Sequence, residues 1–246
     1  MLRFEQLENR IVPAWTSWEG IVNPISGYDG PCMETTGDFD GNGSADTAFV
    51  PAEGGGGSIR VVVRSGGETN VPLVTGAIAR IPGLGDVIYD RVLNDPSFRG
   101  GAVIAALRSP DGSHAIIAVS PGAGGGPIVN LADLKEGTLT AKLLLDENYR
   151  GGLRLTQLPP LDGTGWPDSL LLATPAPGGG GGPVATIFDG EGTILRSFLV
   201  GPADDRSGNY QPIPYGAGVS APGGAFGSWF AAPGIEPFFV DVDGRR

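Results

Sequence analysis

Cysteine and histidine are almost missing from this sequence. Cys32 is the only cysteine among 246 residues, so no disulfide forms within the chain and no thiolate cluster holds a metal. His114 is the only histidine. Together these counts exclude zinc hydrolases and most acid–base mechanisms that turn on an imidazole. Charge is sparse too, at 17% of residues, and its balance is acidic: 16 Lys and Arg against 27 Asp and Glu, a net charge of −11. Such a field repels a phosphate backbone, so nucleic acid is not an expected partner. No apolar run approaches the roughly 18–20 residues of a membrane helix, and no membrane span is expected. No basic segment leads into an apolar stretch at the N-terminus, so an ordinary secretory signal is not expected in these residues.

What the chain has in quantity is glycine (43) and proline (22), roughly a quarter of all residues. The 40% hydrophobic share is that of a folded chain rather than a disordered one, and the length suits one large β domain or two small ones. Glycine and proline at this level without a period would suggest low complexity. Here they recur with a period, as turns between short strands.

One stretch carries a recognisable chemistry. In Asp38-Phe39-Asp40-Gly41-Asn42-Gly43-Ser44-Ala45-Asp46, oxygen side chains stand at loop positions 1, 3, 5 and 9, as Asp38, Asp40, Asn42 and Asp46. Gly43 occupies position 6, where a cation loop turns sharply, and Ser44 at position 7 offers its backbone carbonyl. A hard, oxygen-seeking ion such as Ca²⁺ takes six to eight such ligands at about 2.3–2.6 Å. The helix-flanked version of this loop ends in a bidentate Glu at position 12. Position 12 here is Phe49, inside the apolar run Thr47-Ala48-Phe49-Val50, which reads as a strand. The alternative is an Asx-rich turn without a metal.

Four passages share one order of features. Each opens on an aromatic followed closely by Gly or Asn: Tyr28-Asp29-Gly30, Phe98-Arg99-Gly100-Gly101, Tyr149-Arg150-Gly151-Gly152 and, more loosely, Asn209-Tyr210-Gln211. A short strand, a polar loop and an apolar strand ending in Pro and Gly come next. Those endings are Val50-Pro51-Ala52-Glu53-Gly54, Val119-Ser120-Pro121-Gly122, Ala173-Thr174-Pro175-Ala176-Pro177-Gly178 and Ala232-Pro233-Gly234. A third strand follows, at 59–63, 128–131, 184–188 and 238–240. The glycine-rich run Pro121 to Pro127 lines up with Pro177 to Pro183, each leading into the third strand. In the third repeat a turn at Phe188-Asp189-Gly190-Glu191-Gly192 leads to a fourth strand over 193–200. The first repeat is longer than the others between Gly66 and Gly85; its fourth strand is placed at 87–93, with 71–81 as an insertion. The last repeat stops at Asp241-Val242-Asp243-Gly244, before any fourth strand. The segment 14–22 precedes the first aromatic marker as 196–200 precedes the last, so it is expected to complete the final sheet. Units of several short strands recurring every 50–70 residues or so are the signature of propeller blades, and closure in this way removes exposed sheet edges.

These repeats resemble the FG-GAP/VCBS-type β-propeller repeats, especially a glycine-rich bacterial form running aromatic-x-Gly-Gly, strand, Asp-rich loop, strand, Gly-Pro link, strand, Phe-Asp-Gly turn, strand. The resemblance covers about 14–246 and implies an all-β, four-bladed propeller closed by the N-terminal strand. It also implies Ca²⁺ in the Asp-rich loop, which only the first repeat keeps whole, with Asp38, Asp40, Asn42, Ser44 and Asp46 as ligands. The third repeat retains Asp162 and Asp168 but has Pro160 where the first ligand belongs. The second keeps only Ser109-Pro110-Asp111-Gly112-Ser113, and Gly218 to Gly227 has no acid. Residues 1–13 form a separate lead-in. Leu7-Glu8-Asn9-Arg10-Ile11-Val12-Pro13-Ala14 is similar to a short N-terminal motif of bacterial extracellular repeat proteins, which points to the cell surface or outside. The alternative for this lead-in is an amphipathic segment packed on the propeller rim.

Other chemistry is thin. A Ser–His–Asp arrangement would have to use His114, expected as a solvated turn residue, and no Gly-x-Ser-x-Gly elbow occurs. The glycine runs complete no nucleotide-binding motif. Asp90, Asp95, Asp146, Glu147, Asp204 and Asp205 are placed near connections between blades, where two carboxylates at about 5–9.5 Å would cleave a glycosidic bond. Trp15, Trp18, Trp166, Trp229 and Phe226 are expected in packing rather than stacked on a sugar. The reading is a non-enzymatic, Ca²⁺-stabilised propeller that binds a protein or glycan through its loops, with no catalytic residues assigned. The alternatives are a carbohydrate-active propeller, a hydrolase or lyase using loop carboxylates, and a β-sandwich carbohydrate-binding module.

Overall fold

The computed structural model describes residues 25, 28, 30–52, 60–64, 80–81, 85–93, 97–143, 147–158, 169–176, 181–182, 184–199, 211–213, 227–232 and 235–241. Every regular element among them is a β-strand. Short runs rich in Val, Ile, Leu, Phe and Ala, cut off by Pro and Gly, leave the backbone little choice.

The first sheet holds β1 (Cys32–Gly37), β2 (Asp46–Pro51), β3 (Arg60–Arg64), β4 (Arg80–Ile81) and β5 (Gly85–Val92), in the order β1-β2-β3-β5-β4. The second is a meander of β6 (Ala102–Arg108), β7 (Ala115–Pro121), β8 (Ile128–Asp133) and β9 (Thr138–Leu143). The third repeats it with β10 (Leu153–Leu158), β11 (Leu170–Pro175), β12 (Val184–Asp189) and β13 (Ile194–Leu199). The last has β14 (Gln211–Ile213), β15 (Gly227–Ala232) and β16 (Ile235–Asp241). All pairings are antiparallel.

The same lock fastens the first hairpin of three sheets. Pro51, Pro121 and Pro175 each end a second strand opposite the first residue of its partner: Cys32, Ala102 and Leu153. Proline has no N–H, so it fits only where the ladder asks for none. The residue after each proline supplies the next bond: Ala52 donates to Pro31 O at 3.0 Å, Gly122 to Gly101 O at 2.9 Å and Ala176 to Gly152 O at 3.0 Å. This corrects the sequence alignment. Pro121 corresponds to Pro175, not Pro177, and the glycine link is two residues longer in the third repeat.

The aromatic markers work beside these locks. The hydroxyl of Tyr28 donates to Pro31 O (2.8 Å) and that of Tyr149 to Gly152 O (2.9 Å), while their rings lie over Gly30 and Gly181. Phe98 lacks the hydroxyl and covers Gly100 with its ring alone.

Sheets pack face to face in series. β6 is buried on both sides. Ala102, Ile104 and Ala106 join Phe39, Ala48, Val50 and Val63 of the first sheet. Ala105 and Leu107, one residue out of phase, join Leu153, Leu171, Ala173 and Phe188 of the third. A strand with both faces covered reads as a continuous apolar run, here Ala-Val-Ile-Ala-Ala-Leu. A two-layer sandwich does not describe this serial stack.

The described residues are thus all-β, as expected. β5 occupies the place assigned to the first repeat's fourth strand and pairs with β3. The expected insertion ends in a strand instead: Arg80 and Ile81 pair with Asp86 and Gly85. Three sheets contain four or more strands and the last has three, and no closed ring is seen among the described residues. The closing strand expected over 14–22, and the lead-in over 1–13, lie outside the described residues.

Candidate metal centre

The acidic loop is the connection between β1 and β2, whose register ends on the pair Gly37 and Asp46. Phe39 anchors it from below, fully buried in the core shared by the first two sheets. Burial of such a ring contributes about 1.5–3 kcal/mol and leaves its neighbours Asp38 and Asp40 facing the turn. Oxygens of Asp38, Asp40 and Asp46 lie within 4.8 Å of one another. Asp40 and Asp46 are buried.

Backbone amides offset part of the crowding. Asp46 Oδ2 accepts from Phe39 N (2.9 Å) and Asp40 N (3.3 Å). Asn42 N donates to Asp38 Oδ1 (3.0 Å) and Asp40 Oδ1 (3.1 Å), and Gly43 N to Asp38 Oδ2 (2.9 Å). Positive φ values at Gly41 (73°) and Gly43 (84°) let the backbone curl so tightly. Asn42 bonds within the loop: its Nδ2 donates to Asp40 Oδ2 (3.1 Å) and its Oδ1 accepts from Ser44 N (2.6 Å). The structure therefore gathers the three aspartates, with Asn42 and Ser44 bonded around them. Such an all-oxygen donor set suits a hard cation and is not particular to Ca²⁺.

The loop also touches the second sheet. Ala115 N donates to Asp38 O at 2.7 Å, and a methyl added to Gly41 would come within 3.0 Å of the Lys135 side chain and 3.7 Å of His114 Cβ.

The equivalent turn of the second sheet is closed on itself. Asp111 Oδ1 accepts from Ser109 Oγ (2.7 Å), Ser113 N (3.0 Å) and Ser113 Oγ (2.9 Å). Those bonds, Ser109's foremost, hold its carboxyl well below the usual carboxylate range. The third repeat's Asp162 and Asp168, and 218–226 of the last, lie outside the described residues.

His114 corrects the sequence reading. Its side chain is 3% exposed, with Nε2 2.9 Å from Asp133 Oδ1 and Nδ1 3.0 Å from Ser113 Oγ. A carboxylate only accepts, so Nε2 carries a proton, while Nδ1 lies against the Ser113 hydroxyl. Lys135 Nζ donates to the same hydroxyl at 2.8 Å. The imidazole is a buried post joining the β6–β7 turn to the end of β8. Local sequence gave no sign of this, because Asp133 is 19 positions away.

Of the scattered acids, Asp90 sits within β5 opposite Val62 rather than at a connection, and Glu147 is exposed. Asp95, Asp146, Asp204 and Asp205 lie outside the described residues, as do Trp15, Trp18, Trp166 and Phe226. Trp229 belongs to β15.

Comparison with protein-family models, with curated proteins and with solved structures finds no match to this chain.

Proposed function

We propose that this protein is a non-enzymatic, Ca²⁺-stabilised β-propeller of the FG-GAP/VCBS type, with four blades, that binds a protein or glycan through its loops. In this reading 14–22 complete the last, three-stranded sheet. The place of action is the surface or exterior of a bacterial cell, which the Leu-Glu-x-Arg lead-in supports. One observation carries the proposal: three aspartates spaced as in a cation loop have their oxygens within 4.8 Å at the first hairpin.

Asp38, Asp40 and Asp46 would hold the ion, with Asn42, the Ser44 carbonyl and water available to fill its shell. The ion would supply positive charge where three carboxylates otherwise repel one another. The loop lies against β7, so the charge it neutralises bears on the packing of two sheets. A ligand present at 100 times its dissociation constant adds about 2.7 kcal/mol to stability. Thermal unfolding in Ca²⁺ and in EDTA tests this. The wild type should melt higher in Ca²⁺, and Asp38→Ala should melt at one temperature in both. Equal melting of the wild type in the two buffers would refute the proposal.

A further inference from the structure

A second site lies away from the acidic loop, in a recess of about 170 Å³ between the second and third sheets. Its floor is Ile116 and Leu131, both buried. The exposed Thr138 and Thr140 of β9 stand on one side, and Glu191 of the β12–β13 turn faces in from the third sheet. Asp133, at the end of β8, completes the polar wall. Gly190 allows this approach, since a side chain there would strike Arg108 O at 2.7 Å.

The two carboxylates differ from those of a satisfied network. Asp133 Oδ1 accepts from His114 Nε2 and from Glu136 N, each at 2.9 Å, while Oδ2 accepts no hydrogen bond among the described residues. The Glu191 carboxylate likewise has no partner among them. Two acids from different sheets thus flank an apolar floor, in a chain of net charge −11. A bare divalent ion wants six or more oxygens, which Ile116 and Leu131 cannot supply. A neutral apolar group would leave both carboxylates unanswered. The volume is well below the roughly 300–1,000 Å³ of a drug-sized pocket, so it suits a fragment no larger than one side chain.

We propose that this recess binds a primary ammonium carried on a short apolar stem, with the stem on Ile116 and Leu131 and the charge between Asp133 and Glu191. The same chemistry is offered by a free alkylamine and by a lysine side chain of a protein partner. The site stands whether or not the acidic loop holds a cation.

The test is an NMR titration of the full chain, in EDTA, with n-butylammonium and with n-butanol as the uncharged match. Butylammonium should give saturable shifts at the Ile116 and Leu131 methyls and the Glu191 amide, and butanol none at the same concentration. Glu191→Gln, at a side chain with no hydrogen-bond partner among the described residues, should weaken binding at least five-fold, and so should high salt. Equal shifts with butanol, or unchanged binding by the Gln variant, would overturn the proposal. A blocked Gly-Lys-Gly peptide distinguishes the sources. Tighter binding than butylammonium supports a partner's lysine, and weaker binding supports a free amine.

Discussion

The backbone amide of Ala115 donates to the carbonyl of Asp38 at 2.7 Å, so the first residue of β7 is bonded to the first aspartate of the acidic loop. The bond crosses from one sheet to the next. With Phe39 buried in the core those sheets share, it makes the loop part of an interface rather than a free hairpin tip.

Gly37 tests how close that interface is. A methyl there would meet Ala115 Cβ at 2.7 Å. Gly37→Ala should destabilise by about 1–3 kcal/mol through overpacking. Ala115→Gly in the same chain should recover most of the loss, because the two positions share one contact. Urea unfolding of the four-member cycle measures the coupling, and additive effects would place the strain elsewhere.

Three glycines meet where the second and third sheets join. A side chain on Gly100 would run into the carbonyl of Ala123, one on Gly122 into the carbonyl of Gly100, and one on Gly152 into Gly122 at 2.6 Å. The nearest obstacle in each case is backbone, which cannot swing aside. Gly100→Ala should cost more than about 2 kcal/mol, among the larger effects of single changes. Gly137→Ala is the control. It has φ +67° but open space, and should cost only the left-handed penalty of about 1–2 kcal/mol.

Asp111 sets a pH dependence of known sign. Its carboxyl is held low in the folded state by Ser109 and then by Ser113. A depressed folded value means the contribution is complete above the unfolded value of about 3.9 and is lost as pH falls below it. The stability difference between wild type and Asp111→Asn should therefore be constant above about pH 5 and shrink below pH 4. The carboxylate is exposed to water, so the change should be small. Denaturant midpoints across pH 2–7 measure it, and a difference that grows on acidification would contradict the assignment.

The ring-closure proposal makes its own demand. Removal of residues up to Val22 should lower the melting temperature and expose the amides of β14–β16 to hydrogen exchange before those of β6–β9. Unchanged melting and exchange would mean that 14–22 complete no sheet.

Much of this was legible because the strongest constraints are local. Gly43 at the sixth loop position, the aspartates at alternate positions and the Pro–Gly strand ends all act within a few residues. The strands expected at 59–63, 87–93, 128–131, 184–188 and 193–200 correspond to β3, β5, β8, β12 and β13, while β4 arises inside the expected insertion. The errors came where position is set at a distance. Pro177 was aligned with Pro121 because glycine runs look alike. Ladder register matches Pro121 to Pro175, since each stands opposite the first residue of its partner strand, Ala102 and Leu153. His114 read as a surface turn because nothing near it in sequence shows that Asp133 arrives from β8. The ammonium recess was invisible because its walls come from two sheets.

The central claim is that the hairpin of Asp38, Asp40 and Asp46 holds one cation. Calorimetric titration of EDTA-stripped protein with Ca²⁺, beside the same titration of Asp38→Ala, tests it most directly. The account predicts one equivalent bound by the wild type and none by the variant. No heat of binding from the wild type would contradict it and reduce the loop to an Asx turn closed by its own amides.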